Sequence, residues 1–311
     1  MRVNRCSIID APSDLGLRPS GVDGLADALR AAGLLEGLAD VRYDGRVPAP
    51  PFDPRRDPVS GIVNLDAVRS FSLALADRVA ATLDEGRFPL VLGGDCSIIL
   101  GPALALRRRG RFGLLFIDGH ADFYSPDSEP NGEVASMDLA LVTGLGPPTL
   151  VDLDGLQPLV RQEDAVLFGF RDADSALEHG SPDVRETEIH TLDLATVREL
   201  GAAPAARRAL ARLQGGDLEG FWVHLDADVL HDEVMPAVDY RMADGLWPDE
   251  LGDALAIALS SPGVVGMDVT IYNPALDNVE GSAARMLAGV ITSAFATARQ
   301  AAPAHQDAAP S

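Results

Sequence analysis

Residues Leu114–Phe123 read LLFIDGHADF, and the break in the middle of this stretch decides the fold. Leu114–Ile117 are apolar without interruption, as in a strand buried on both faces of a parallel sheet. The run then stops at Asp118, followed by His120 and Asp122. A chain that passes from a buried strand directly into acidic residues puts them beyond the strand's carboxyl end. That is where open parallel sheets carry their sites.

The same pattern recurs on either side. Leu90–Ser97 reads LVLGGDCS, and Trp222–Leu230 reads WVHLDADVL. Short apolar runs predict strands at Cys6–Ile9, Pro89–Leu92, Gly113–Ile117, Ala165–Phe168, Thr187–His190, Gly220–Leu225 and Val264–Val269. Between them lie helix-like stretches at Gly24–Ala32, Leu65–Glu85, Ser97–Arg109, Leu194–Leu213, Pro248–Leu259 and Ala283–Ala298. Leu65–Glu85 has apolar residues at helical spacing and stops before Gly86. Strand–helix alternation predicts a three-layer α/β fold. Pro-rich Val47–Pro58 reads as an irregular surface loop, and the tail from Gln300 as disordered. No linker divides the middle, so residues 1–299 are expected to form one domain, with 300–311 as the tail.

Composition removes several function classes. The 311 residues carry a net charge of −22, which repels phosphate backbones and argues against a nucleic-acid partner. Every cation is arginine or histidine; the absence of lysine excludes Schiff-base, P-loop and kinase-type lysine chemistry. The two cysteines, Cys6 and Cys96, form no CxxC pair and indicate no disulfide framework. No apolar run approaches membrane-spanning length, and Met1–Ile9 lacks a leader-like apolar core, so a cytoplasmic protein is expected.

Strand geometry puts residues i, i+2 and i+4 on one face. Asp118, His120 and Asp122 converge if the chain stays extended, as do Asp226 and Asp228, with His224 on the same side. Cys96 ends a third segment. Such a cluster repels itself unless cations neutralise it. Its oxygen-rich donors suit two divalent ions, Mn²⁺ more than Zn²⁺. DxHxD alone also fits a solvated loop, and a lone Cys after Gly-Gly also fits a small buried hydrophobe.

These segments resemble the ureohydrolase superfamily of arginases, agmatinases and formiminoglutamases, whose signatures are GGDHS, DAHxD and SxDxDxxDP. Here they read GGDCS (Gly93–Ser97), DGHAD (Asp118–Asp122) and HLDADVLHD (His224–Asp232). Ser20–Leu38, Leu167–Ser175 and Ile271–Met286 resemble further family segments in the same order. The resemblance implies an α/β/α sandwich on a mostly parallel eight-stranded sheet, two Mn²⁺ ions, a small guanidino or amidino substrate and a homo-oligomer. It implies metal ligands Cys96, Asp118, His120, Asp122, Asp226 and Asp228. In the family a metal-bridging hydroxide attacks the guanidinium carbon, with Asp122 accepting a hydrogen bond from it. Asp174 is implied to hold a substrate amino group.

The departures narrow the substrate. Cys96 stands where the family has histidine, as in N-hydroxyarginine amidinohydrolases; a thiolate tolerates Zn²⁺ or Fe²⁺ better than imidazole does. Ile271 stands where arginases carry the glutamate that receives the guanidinium, so ordinary L-arginine is disfavoured against N-hydroxy-L-arginine or a formimino compound. Glu129–Ala140 contains no histidine at the place of the family's proton shuttle. His224 and His231 are the candidates to replace it, His224 alternatively orienting a ligand. Asp138 and Glu133 are candidate pocket residues. The alternatives are another guanidino- or formimino-acid hydrolase, a deacetylase-like amide hydrolase and a non-catalytic relative.

Overall fold

A computed structural model describes residues 2–301. Eight strands make one sheet: β1 (Cys6–Asp10), β2 (Arg42–Arg46), β3 (Phe88–Leu92), β4 (Gly113–Ile117), β5 (Ala165–Phe168), β6 (His190–Leu192), β7 (Phe221–Asp226) and β8 (Val264–Thr270). Their order is β2-β1-β3-β8-β7-β4-β5-β6, and every neighbouring pair is parallel. All the carboxyl ends therefore point one way. The chain leaves β3 and enters β4 three places further along, and β7 and β8 later fill the two places between.

The helices are α1 (Leu25–Ala31), α2 (Leu65–Asp84), α3 (Leu100–Arg107), α4 (Asp138–Val142), α5 (Pro148–Val151), α6 (Ala173–Glu178), α7 (Leu194–Leu200), α8 (Ala202–Leu213), α9 (Pro248–Ser260) and α10 (Ser282–Ala301). Side-chain alternation along the strands divides the core in two. Leu115, Ile117, Val223 and Leu225 face one layer with Leu29, Leu210, Leu255 and Phe295 of α1, α8, α9 and α10. Leu114, Phe116 and Trp222 face the other with Phe71, Leu75, Leu104 and Leu139 of α2, α3 and α4. Each such buried side chain contributes roughly 1.5–3 kcal/mol relative to exposure. The result is the expected three-layer α/β/α arrangement, with the sheet wholly rather than mostly parallel.

Three local expectations change. Arg42–Arg46 (RYDGR) is a strand that its charged residues conceal: it lies at the sheet edge, where polar side chains face water and block further pairing. The helix expected over Leu194–Leu213 is two helices, because Gly201 adopts φ 83 between them. The strand expected at Thr187–His190 begins at His190 instead; Thr187 closes a turn, its hydroxyl donating to the Val184 carbonyl. Helix α10 carries the chain through Gln300 and Ala301, and the rest of the proposed tail lies outside the described residues. Among the described residues no helix is long and apolar enough to cross a membrane.

Candidate metal centre and active site

The site lies at the carboxyl ends of the four central strands, β3, β8, β7 and β4. After β3 the chain turns through Gly93 and Gly94. A Cβ on Gly94 would lie 1.8 Å from the Ser13 carbonyl oxygen, and one on Gly93 2.3 Å from Ile98. No larger residue fits at Gly94, where backbone stands in the way; at Gly93 the end of the Ile98 side chain would have to move. Asp95 is used structurally: it accepts from Ser97 N at 2.9 Å and from Ser13 Oγ at 2.8 Å. Cys96 is then delivered to the centre, its Sγ 2.6 Å from Asp226 Oδ2.

After β4 the chain coils rather than staying extended. Asp118 Oδ1 accepts from the His120 amide at 2.7 Å, and Asp122 sits at φ 44, a left-handed conformation that aspartate tolerates. Convergence of Asp118, His120 and Asp122 therefore comes from this turn and not from strand alternation. The same correction holds after β7. Asp226 Oδ1 accepts from the Asp228 amide at 2.7 Å and starts a 3-10 turn that brings Asp228 back over the sheet. There Asp228 Oδ2 lies 2.9 Å from His120 Nδ1, and the Arg171 guanidinium donates to the Asp228 carbonyl at 3.0 Å.

Three sets of donor atoms gather within 4.8 Å of one another: Cys96, Asp118, His224 and Asp226; Cys96, Asp122 and Asp138; and Asp118, His120 and Asp228. Burial, then repulsion from Asp226, Asp122 and Asp228, pushes the Asp118 carboxyl well above its usual range. Burial and the facing Asp228 do the same to Asp226. Burial raises Asp122 to about 8, despite the opposing pull of His120. Asp228 goes the other way: burial works against its charge, but His120 and Arg171 hold it below normal. Burial also disfavours charge on His120, yet Asp228 raises its imidazole to about 10. Asp118 Oδ2, both oxygens of Asp138 and His224 Nε2 are buried without a hydrogen-bond partner. Buried acids this costly to ionise, with polar atoms left unpaired, fit a pair of divalent cations that would pair them.

Cys96, His120, Asp122, Asp226 and Asp228 form the floor of a cavity of about 560 Å³, a size suited to a small molecule. Tyr124, Glu129, Asp172, His179, Tyr240 and Ile271 stand around it. Ile271, directly after β8, presents an apolar side chain to the cavity at φ 67. Ala135 and Ser136 occupy the wall beside it.

Several residues singled out in the sequence lie elsewhere. Asp174 is turned outward, its side chain 90% exposed and paired with Arg185 at 3.1 Å; Asp172, two residues earlier, faces the cavity and accepts from the Ala121 amide at 2.8 Å. His231 does not line the cavity, because the chain after the 3-10 turn runs away from it. Its ring stacks on Trp247 with centroids 4.4 Å apart, and its Nδ1 accepts from the Glu233 amide at 3.2 Å. His224 and Asp138 are buried beneath the floor. Glu133 sits behind the rim, accepting from the Tyr240 hydroxyl at 2.6 Å and pairing with Arg18 at 3.4 Å. Tyr124, Asp172, His179 and Tyr240 were not read from the sequence. Only Asp172 carried a signal, lying in the same FRDAD segment as Asp174.

An all-parallel sheet with buried acids and histidine converging at its central strand tips defines a member of the ureohydrolase superfamily. Within it the chain belongs to the arginase family, whose family model matches residues 4–296. It is 32% identical over 279 residues to an arginase of Bacillus caldovelox, covering 87% of this chain and 91% of that relative. It is 30% identical over 278 residues to an arginase of Staphylococcus aureus strain COL, covering 87% and 90%. The crystal structure of arginase from Bacillus cereus superimposes with a TM-score of 0.83 at 28% identity, covering 94% of this chain and 98% of that one. The chain is thus a hydrolase of the class that acts on C–N bonds in linear amidines.

Proposed function

We propose that this protein hydrolyses the C–N bond of N-hydroxy-L-arginine, using Cys96, Asp118, His120, Asp122, Asp226 and Asp228 to hold two divalent cations. The observation that carries the reading is the juxtaposition of that donor floor with Ile271 in the cavity wall. An apolar side chain supplies no countercharge to a guanidinium. N-hydroxylation makes a guanidine less basic, so the neutral form enters such a wall at lower cost. The same feature favours a formimino acid as the second reading. Mn²⁺ is the expected metal for the oxygen-rich half, and the Cys96 thiolate widens the choice to Zn²⁺ or Fe²⁺.

The bound cations would supply a water of lowered pKa and neutralise charge developing on the substrate. The chain's own groups do the rest. Asp122 Oδ takes a proton from the attacking water and passes it to the departing nitrogen as the C–N bond breaks. Its place on the floor, between His120 and Asp172, suits both halves of that transfer. Asp172 offers a carboxylate to the substrate's α-amino group, the part first assigned to Asp174. Tyr240, held by Glu133 and Arg18, closes the rim and limits access of bulk water. The resemblance further supports a cytoplasmic homo-oligomer.

The test incubates metal-loaded protein separately with N-hydroxy-L-arginine, L-arginine, agmatine, guanidinobutyrate and formiminoglutamate, scoring hydroxyurea, urea and formamide. Hydroxyurea release at the highest kcat/KM supports the proposal. Urea from arginine at a higher kcat/KM overturns the substrate, and no turnover of any of them by protein holding two ions overturns the enzymatic reading.

A further inference from the structure

His224 is wholly buried on β7, two residues before Asp226 and on the same face of the sheet. It pairs in register with Phe116 of β4 on one side and Asp268 of β8 on the other. The Phe116 ring stacks on the imidazole with centroids 4.3 Å apart. Asp268 Oδ2 lies 2.5 Å from Nδ1, and the other Asp268 oxygen accepts from the Trp222 indole. One face of the ring and one of its nitrogens are thereby fixed. A Nδ1–H donated to a carboxylate leaves Nε2 with its lone pair free.

That nitrogen has no hydrogen-bond partner, although no solvent reaches it. A buried imidazole nitrogen left unpaired is a cost the fold would not retain without return. Around the imidazole stands a set of ligating atoms: Cys96 Sγ and carboxylate oxygens of Asp118 and Asp226, which with one ring nitrogen all lie within 4.8 Å of one another; Nδ1 is already taken by Asp268. A histidine held by a carboxylate on one nitrogen and open to anionic donors on the other has the arrangement of a ligand whose outer partner orients it. One thiolate, one imidazole and two carboxylates make four donors, the number of a closed tetrahedral site.

We propose that His224 Nε2 is a direct metal ligand, completing with Cys96, Asp118 and Asp226 a four-donor site selective for a borderline-soft divalent cation such as Zn²⁺. Asp118, His120 and Asp228 then serve the second ion, and the two halves differ in softness. The imidazole reaches the Cys96 half from β7, across β8 from β3, the strand that leads to the cysteine. This inference rests on the two-cation centre of the proposed function.

Zinc-edge X-ray absorption on wild-type protein loaded with two Zn²⁺ counts the ligands directly. Two imidazoles and one sulfur per pair of ions are expected; a single imidazole, from His120, overturns the proposal. Zn²⁺ titration of His224→Ala is expected to show one of the two sites weakened at least about 100-fold, above the range for losing only an orienting partner. With Co²⁺ as probe, the sulfur-to-metal charge-transfer band of Cys96 is expected to weaken in the same variant. Two ions held with unchanged affinity and an unchanged band show a merely structural histidine. Wild-type protein that binds neither ion defeats the functional reading itself. Should His224→Ala not fold, the wild-type ligand count decides.

Discussion

The amide of Ile271 donates to the carbonyl of Gly94 at 2.8 Å, tying the tip of β8 to the double-glycine turn that follows β3. The Gly93 amide answers by donating to the Val269 carbonyl at 2.9 Å. This pair of bonds holds a β-branched residue at φ 67, a conformation costing on the order of 1–3 kcal/mol. The Ile271 side chain lines the same cavity as the candidate metal ligands, where the proposed function has it select the substrate head group.

Ile271→Glu puts a carboxylate at that place and is expected to shift preference toward cationic guanidines. The ratio of kcat/KM for L-arginine over N-hydroxy-L-arginine should rise by about tenfold or more, equal to at least ~1.4 kcal/mol of differential transition-state binding. An unchanged ratio would show that this wall does not face the guanidino end.

Asp122→Asn and Asp228→Asn each remove one carboxylate charge while keeping side-chain shape. Turnover is expected to fall by about 10²–10⁴-fold in each, with circular dichroism unchanged. For Asp122 the loss should appear in kcat while two ions remain bound. Asp228→Asn should instead release the ion shared with His120, measurable by elemental analysis.

Chelated protein should lose stability as pH rises. Asp122 titrates near 8 in the folded chain against an ordinary value of 3.8, and Asp118 and Asp226 are shifted the same way. A raised carboxyl makes the folded state bind more protons than the unfolded one. Its contribution is whole below the unfolded value and is lost through the folded one. Asp228, held low, acts oppositely but only below its ordinary value. Thermal denaturation in chelator should therefore show Tm falling between pH 5 and about 8. Added divalent metal should recover more at pH 8 than at pH 5; equal recovery at both would refute the electrostatic account.

Tyr240 links Glu133 and Arg18, and the Arg18 guanidinium lies 5.3 Å from its ring centroid. Tyr240→Phe keeps the ring and removes the hydroxyl. KM is expected to rise by about 3- to 10-fold, corresponding to the ~1 kcal/mol of a partly exposed hydrogen bond, with kcat within about twofold. A fall in kcat matching that in kcat/KM would place the tyrosine in the transition state instead.

Much of the architecture and most of the candidate ligands were legible in residue order because a strand buried on both faces leaves an unbroken apolar run. Where LLFI meets Asp118, or WVHL meets Asp226, the change of polarity marks the strand's end. Strand β2 was not legible, since an edge strand needs no apolar pattern and RYDGR has none. Nor was the choice between Asp172 and Asp174, because a local motif contains both carboxylates and only the turn entering α6 decides which faces inward.

Residue types alone thus settled which chemistry was available: carboxylates, two imidazoles and one thiol in the segments that end buried parallel strands, with no lysine and an apolar residue where a countercharge was expected. Tertiary structure decided which atoms meet. Cys96 and Asp226 stand 130 positions apart in the chain, and only the order β3-β8-β7-β4 brings sulfur and carboxylate together. The direction of the His224 imidazole was likewise set from outside its own segment, by Phe116 and Asp268 on the neighbouring strands. Strand pairing and side-chain packing are long-range interactions, and a local pattern carries the propensity for a strand but not the identity of its neighbours.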